Sequence, residues 1–282
     1  MKGLKIVGGL AGLSALTYVG LPKLLNHLGL HPHYKGRRFN LLGKRGLVIT
    51  TSHDTLGDTE KATGVYASEM TIPYYEFLDA NMAVDVASIK GGEIPFEPVS
   101  LRWPLATPAD RRYLADRDLR EKVQESLPID EVDFTDYDLV YIAGGWGAAY
   151  DLGTSEVLGR GISAAYAAGA VIGSVCHGSL GLLRATEPSG KPLVKDRHVT
   201  GVTDKQVQEL GITITPQHPE TELRKAGAIF ESKSAFRDMF ANLTVVDGLI
   251  VTGQNQNAGA ETAQRMMALL QASIRSEVED GL

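Results

Sequence analysis

The sequence predicts an α/β fold built on a mostly parallel sheet, and three observations carry that prediction. Residues 137–143 and 170–175 are mostly apolar runs, each followed by a helix-like pattern. Continuous apolar strands suit a sheet covered on both faces, which is the parallel case. The chain has 282 residues, 43% hydrophobic and 22% charged. That is enough for one large domain with a sizeable core, and unlike a disordered chain or a polytopic membrane protein.

The first residues stand apart. Residues 6–21 hold 16 uncharged positions, closed by Pro22 and Lys23. A spanning helix needs about 20, and Leu24, Leu25 and a snorkelling Lys23 bring the stretch into range. The expectation is a membrane anchor over 6–25. Lys23, Lys35, Arg37, Arg38, Lys44 and Arg45 outnumber Lys2 and Lys5, which would keep the domain in the cytoplasm. The alternatives are a helix packed on the domain of a soluble cytoplasmic protein, and a signal peptide of an exported one. Lys2 and Lys5 suit a signal, but no small-x-small cleavage site follows. The chain thus divides into an anchor-like helix at 1–26, a basic linker at 27–45 and an α/β domain at 46–275. His27, His31 and His33 fall in the linker with no acidic or cysteine partner nearby, so no metal is expected there.

A strand at 47–51 opens the domain. Glu69 then lies among mostly apolar neighbours, read as a loop beside a strand, where desolvation would raise its pKa and fit it to shuttle a proton. A helix over 72–81 and an alternating strand over 82–88 follow. Residues 91–108 are Pro-rich and carry Trp103, which suggests an ordered insertion or lid. A charged surface helix spans 116–126. The strand at 137–143 runs into Gly144, Gly145, Trp146 and Gly147, and a helix at 155–168 leads to the strand at 170–175. Residues 243–246 and 249–252 flank Asp247-Gly248, a hairpin signal. A helix over 258–274 closes the chain.

Cys176, the only cysteine, ends a strand at the start of a helix. At such a corner the side chain projects from the carboxyl edge of the sheet, and helical N–H groups would lower a pKa of about 8.5, giving an accessible thiolate. One cysteine excludes an internal disulfide, and an accessible thiolate survives best in a reducing compartment. Gly144-Gly145 is not G-x-G-x-x-G and no Lys-Ser/Thr follows, so no dinucleotide cofactor is expected. Its N–H groups, with that of His177, suit an anionic oxygen instead. The net charge of −6 argues against a nucleic-acid surface, leaving a small molecule as partner.

Taken together, Glu69 with Pro73, the Ala-Gly-Gly-Trp-Gly-Ala-Ala-Tyr-Asp-Leu run ending at Leu152, Cys176-His177-Gly178 and Thr252-Gly-Gln-Asn resemble the ThiJ/PfpI superfamily, in its larger glyoxalase III and chaperone-like branch. The resemblance runs from about residue 46 to 270. It implies a flavodoxin-like three-layer sandwich of the class I glutamine amidotransferase type, a homodimer without cofactor or metal. It implies Cys176 as nucleophile, Glu69 as its carboxyl partner and His177 beside it, with Gly144, Gly145 and Trp146 binding substrate. Related enzymes convert methylglyoxal to lactate without glutathione, which here would pass through a hemithioacetal on Cys176. Two positions depart from the pattern. The acid that orients the histidine would fall near Val207, with Asp204 or Glu209 as substitutes, and Trp146 stands where this branch often has His. His218-Pro-Glu220 spells the late pair of amidotransferases, but about sixty residues follow it. The expectation is a cysteine-dependent enzyme acting on small reactive carbonyls. The alternatives are a redox-sensing or chaperone-like stress protein, or a hydrolase, hydratase or amidotransferase-like enzyme.

Overall fold

The computed structural model describes residues 17–280, of which 17–27 are helical (α1). The domain opens with β1 (Arg45–Thr50), α2 (Ala67–Asp79) and β2 (Ala83–Ser88). Two short helices, α3 (Pro108–Ala115) and α4 (Arg117–Gln124), lead to β3 (Leu127–Pro128) and β4 (Leu139–Ile142). Next come α5 (Ala148–Asp151), α6 (Glu156–Ala167) and β5 (Val171–Val175), which ends in a 3-10 turn, Cys176–Leu182. After β6 (His198–Val199), α7 (Asp204–Leu210), α8 (Pro219–Lys225) and β7 (Ile229–Phe230), the chain finishes with β8 (Thr244–Asp247), β9 (Ile250–Gly253) and α9 (Gly259–Asp280).

Seven strands form one sheet in the order β3-β2-β1-β4-β5-β9-β8. All neighbours are parallel except the β8–β9 hairpin, so the expected mostly parallel sheet is found. Its central strands are mostly apolar because successive side chains enter opposite cores. Val48, Leu139, Tyr141, Val171 and Val175 face one core, beneath α2 and α9. Leu47, Ile49, Val140, Ile142 and Ile172 face the other, with Leu158 and Ile162 of α6 and Leu180 of the 3-10 turn. Three layers result.

The strand order reverses between β1 and β4. Ligands of open α/β sheets collect at the carboxyl ends of strands near such a point. Here the segments leaving β1, β4 and β5 bring α2, the Gly144-Gly145 corner and Cys176 to one place.

Two expectations for the amino end are corrected. No helix among the described residues is long and apolar enough to cross a membrane, which overturns the anchor over 6–25 and with it the membrane-anchored location. The part of that stretch before residue 17 lies outside the described residues. What is described of it touches the domain: the Tyr18 ring stacks on Trp103 at 5.4 Å, and Trp103 Nε1 donates to the Tyr18 carbonyl at 3.1 Å. The stretch expected as a linker is a strap laid on the domain. Leu30, Phe39 and Leu41 are buried. The strap is also pinned by backbone donors, His31 N–H to Asn257 Oδ1 at 2.8 Å and Leu41 N–H to the Ala80 carbonyl at 2.7 Å.

Candidate active site

Glu69 lies in the first turn of α2, not in a loop. Tyr66 caps this helix with its backbone alone, so the helix start is held from outside: Ser100 Oγ, from the Pro-rich insertion, accepts the Ala67 N–H at 3.1 Å. Val65 pairs with the same insertion, donating to the Pro95 carbonyl and accepting from the Glu97 N–H. The insertion thus fixes the first turn of α2, while Tyr141 Oη donates to the Glu69 carbonyl at 2.9 Å. Glu69 itself is 1% exposed.

Cys176 adopts φ of +56°, a left-handed conformation that side chains other than glycine rarely take and that costs on the order of 1–3 kcal/mol. Ser179 Oγ holds the bend by donating to the Cys176 carbonyl at 2.8 Å. The strained corner turns Sγ toward Glu69 and the glycines. At Gly144 a Cβ would sit 2.6 Å from Glu69 Oε2 and 2.7 Å from the His177 nitrogen, so only hydrogen fits. Gly145, with φ of +118°, turns its N–H toward the sulfur.

The protonation of this pair differs from the expectation for Cys176. The residue is 6% exposed, and burial, followed by the nearby Glu69 carboxylate, pushes the thiol well above its ordinary range. The His177 and Gly145 N–H groups pull the other way without overcoming it. The resting group is a thiol, because removing water costs a localised anion more than the turn's N–H groups return. Burial likewise raises Glu69 to about 8, opposed by contacts to Cys176 and the Gly144 N–H. That direction matches the expectation from its apolar neighbours. Thiol and carboxyl in contact titrate as a unit, so the first proton leaves the pair.

His177 Nδ1 lies 3.6 Å from Cys176 Sγ, and its ring is tilted against Trp146 at 4.9 Å. Burial lowers its pKa to about 3, with the nearby His218 adding to the effect. Its Nε2 is buried without a hydrogen-bond partner. No acid among the described residues orients it. Val207 is in the core, Asp204 accepts from Thr221 Oγ1 at 2.6 Å, and Glu209 accepts the Asp238 N–H at 2.8 Å. The amidotransferase spelling is not at the thiol either. Glu220 binds Arg224 and the Asp204 N–H, and neither His218 nor Glu220 lines the cavity over the sulfur.

That cavity measures about 50 Å³. Glu69, Gly145, Trp146, Cys176 and His177 line it together, while Gly144 lies behind, under the carboxyl. The sequence reading missed Tyr66, Gln206 and Gln256 in its wall. A signal for Gln206 was present, since Thr203 is the N-cap of α7 and accepts the Gln206 N–H at 3.0 Å. Gln256 directly follows the Thr252-Gly-Gln-Asn motif. Chemically, the site offers one nucleophile, one carboxyl able to give or take a proton near neutrality, and two converging backbone donors.

A model of the DJ-1/PfpI family matches residues 61–269. Among curated proteins, the glutathione-independent glyoxalase hsp3102 of Schizosaccharomyces pombe is 28% identical over 81% of this chain and 98% of its own. Glyoxalase 3 of Candida albicans is 25% identical over 80% of this chain and 98% of its own. Among solved structures, the Rapid Encystment Protein 24 KDa of Francisella tularensis superposes with a TM-score of 0.75 at 32% identity, covering 80% of this chain and 99% of that one. Glyoxalase III from Candida albicans superposes with a TM-score of 0.74 at 25% identity, covering 80% and 97%.

Proposed function

Because the chain belongs to the DJ-1/PfpI family, we propose that it is a glutathione-independent glyoxalase that turns methylglyoxal into lactate on Cys176. The observation that carries this reading is the Cys176–Glu69 contact beside a small cavity edged by the Gly145 and His177 N–H groups. A cavity of about 50 Å³ suits a substrate of a few heavy atoms better than a large one.

The thiol adds to the aldehyde carbon: an S–C bond forms, the C=O π bond breaks, and the thiol proton ends on the former aldehyde oxygen. Glu69, as carboxylate, then takes the proton from that carbon and returns one to the neighbouring ketone carbon, an internal redox exchange with no outside oxidant. The enediolate oxygen sits against the Gly145 and His177 N–H groups. Transfer of the hydroxyl proton to the former ketone oxygen leaves a lactoyl thioester, and water adds to its carbonyl, releasing lactate as the sulfur takes back its proton. The thiol proton reaches the former aldehyde oxygen through Glu69, whose pKa of about 8 suits the transfer, while neutral His177 sets Nδ1 3.6 Å from the sulfur and orients it. Gly144 gives Glu69 room, and Trp146 walls the chamber with apolar surface. A second copy of the chain as partner completes the proposal, on the family resemblance.

Purified protein supplied with methylglyoxal and no glutathione should yield lactate. Cys176→Ala and Glu69→Gln should each lose at least about a thousandfold in kcat/KM, as expected for groups that act as one unit. Lactate formation that persists in Cys176→Ala would sink the reading.

A further inference from the structure

Gln206 has a fixed orientation, and hydrogen bonding alone decides it. Asn255 Oδ1 accepts the Asn257 backbone N–H at 3.0 Å, and a backbone N–H can only donate. Asn255 Nδ2 therefore faces the Asp238 and Ala241 carbonyls, at 3.0 and 3.2 Å, which can only accept. The same Nδ2 donates to Gln206 Oε1 at 3.0 Å. With its oxygen turned to Asn255, Gln206 must direct its NH2 the other way. Gln206 is 2% exposed and lines the Cys176 cavity, and its NH2 has no partner among the described residues. The other amide of the wall, Gln256, donates to the Met239 carbonyl at 3.0 Å.

An NH2 held in place by its own oxygen and opening on the cavity is a ready donor, and a substrate that displaces the water there without offering an acceptor leaves it unpaired at a cost in free energy. The chamber already has donors for one oxygen, at Gly145 and His177. We propose that Gln206 is the specificity residue through which this chain tells a 1,2-dicarbonyl from a simple aldehyde, its NH2 donating to the ketone oxygen while Cys176 adds to the aldehyde carbon. The inference rests on the glyoxalase reading above and adds a second oxygen site to it. A simple aldehyde forms the same hemithioacetal but leaves the Gln206 donor unpaired. Sites built to hydrogen-bond a substrate atom reject analogues lacking it for this reason.

The test is protection of Cys176 from iodoacetamide, followed by mass spectrometry, with methylglyoxal or acetaldehyde as protectant. In Gln206→Met, which keeps the length and removes the donor, half-protection should need about tenfold more methylglyoxal, the worth of one buried hydrogen bond. The acetaldehyde curve should not move. Equal weakening of both curves would assign Gln206 a structural role and overturn the proposal, as would two unchanged curves. Absence of protection by methylglyoxal in the unaltered protein would instead overturn the glyoxalase reading, and the Gln206 assignment with it.

Discussion

Two buried polar clusters meet at Gln206, and they are built by opposite rules. Around Asn255, every side-chain oxygen and nitrogen of Asn255, Asn257 and Asp238 has a partner. Although burial alone would raise Asp238, hydrogen bonds from Lys205, the Ala235 N–H and Thr203 hold it below its ordinary value. Around Cys176, Glu69 Oε2 and His177 Nε2 are buried without partners, Cys176 has a positive φ, and burial drives the ionisable groups toward neutrality. A fully paired network spends its interactions on rigidity. An incompletely paired one keeps them for a substrate, and the rigid neighbour makes the incomplete one tolerable.

Substitution on the paired side should produce the largest change in stability. Asn255→Ala removes the donor to three acceptors and the acceptor of the Asn257 N–H, and should cost about 2–4 kcal/mol in denaturant unfolding. A loss below about 0.5 kcal/mol would erase the contrast between the clusters.

On the unpaired side the sharper measurement is pH. Glu69 acts as base only once deprotonated, so kcat/KM should rise close to tenfold per unit below about pH 8 and level off above it. With its pKa lowered to about 3, His177 contributes no limb between pH 5 and 7. A limb in that window, retained in Glu69→Gln, would make the imidazole the base.

The smallest effect is on folding. The Glu69 pKa is higher in the folded chain than in the unfolded one, so its neutral form stabilises fully below about pH 4.5. That stabilisation is lost as pH rises toward about 8. Glutamine has no such proton. The melting temperature of Glu69→Gln should therefore gain on that of the unaltered protein by a few degrees between pH 5 and 8, about 1.4 kcal/mol per pKa unit being the upper bound. A gap that stays constant with pH would mean the carboxyl is hydrated.

The parallel sheet and the corner at Cys176 were legible because short, mostly apolar runs have few other homes and the only cysteine ends one of them. The protonation state was not. A sequence shows that N–H groups converge on a sulfur but not how completely water is excluded from it, and here exclusion wins. Glu69 was read correctly as desolvated and wrongly as a loop residue, because the first turn of α2 is stabilised by Ser100, some thirty residues away, and not by a local cap. Helix α3 was missed although Thr107-Pro108-Ala109-Asp110 spells its start: Thr107 and Asp110 cap each other reciprocally. The strap over 27–45 was read as a linker because its apolar residues, Leu30, Phe39 and Leu41, are sparse among charges and have no periodicity.

That strap gives the chain's beginning a mechanical connection to its chemistry. His31 donates to Asn257, Asn257 to Asn255, and Asn255 to Gln206, so three successive bonds lead from the amino-terminal stretch to the chamber's wall. Trimming the protein back to its sheet and helices is therefore not a neutral edit. It cuts the far end of a guy line whose near end steadies an amide of the chamber's wall.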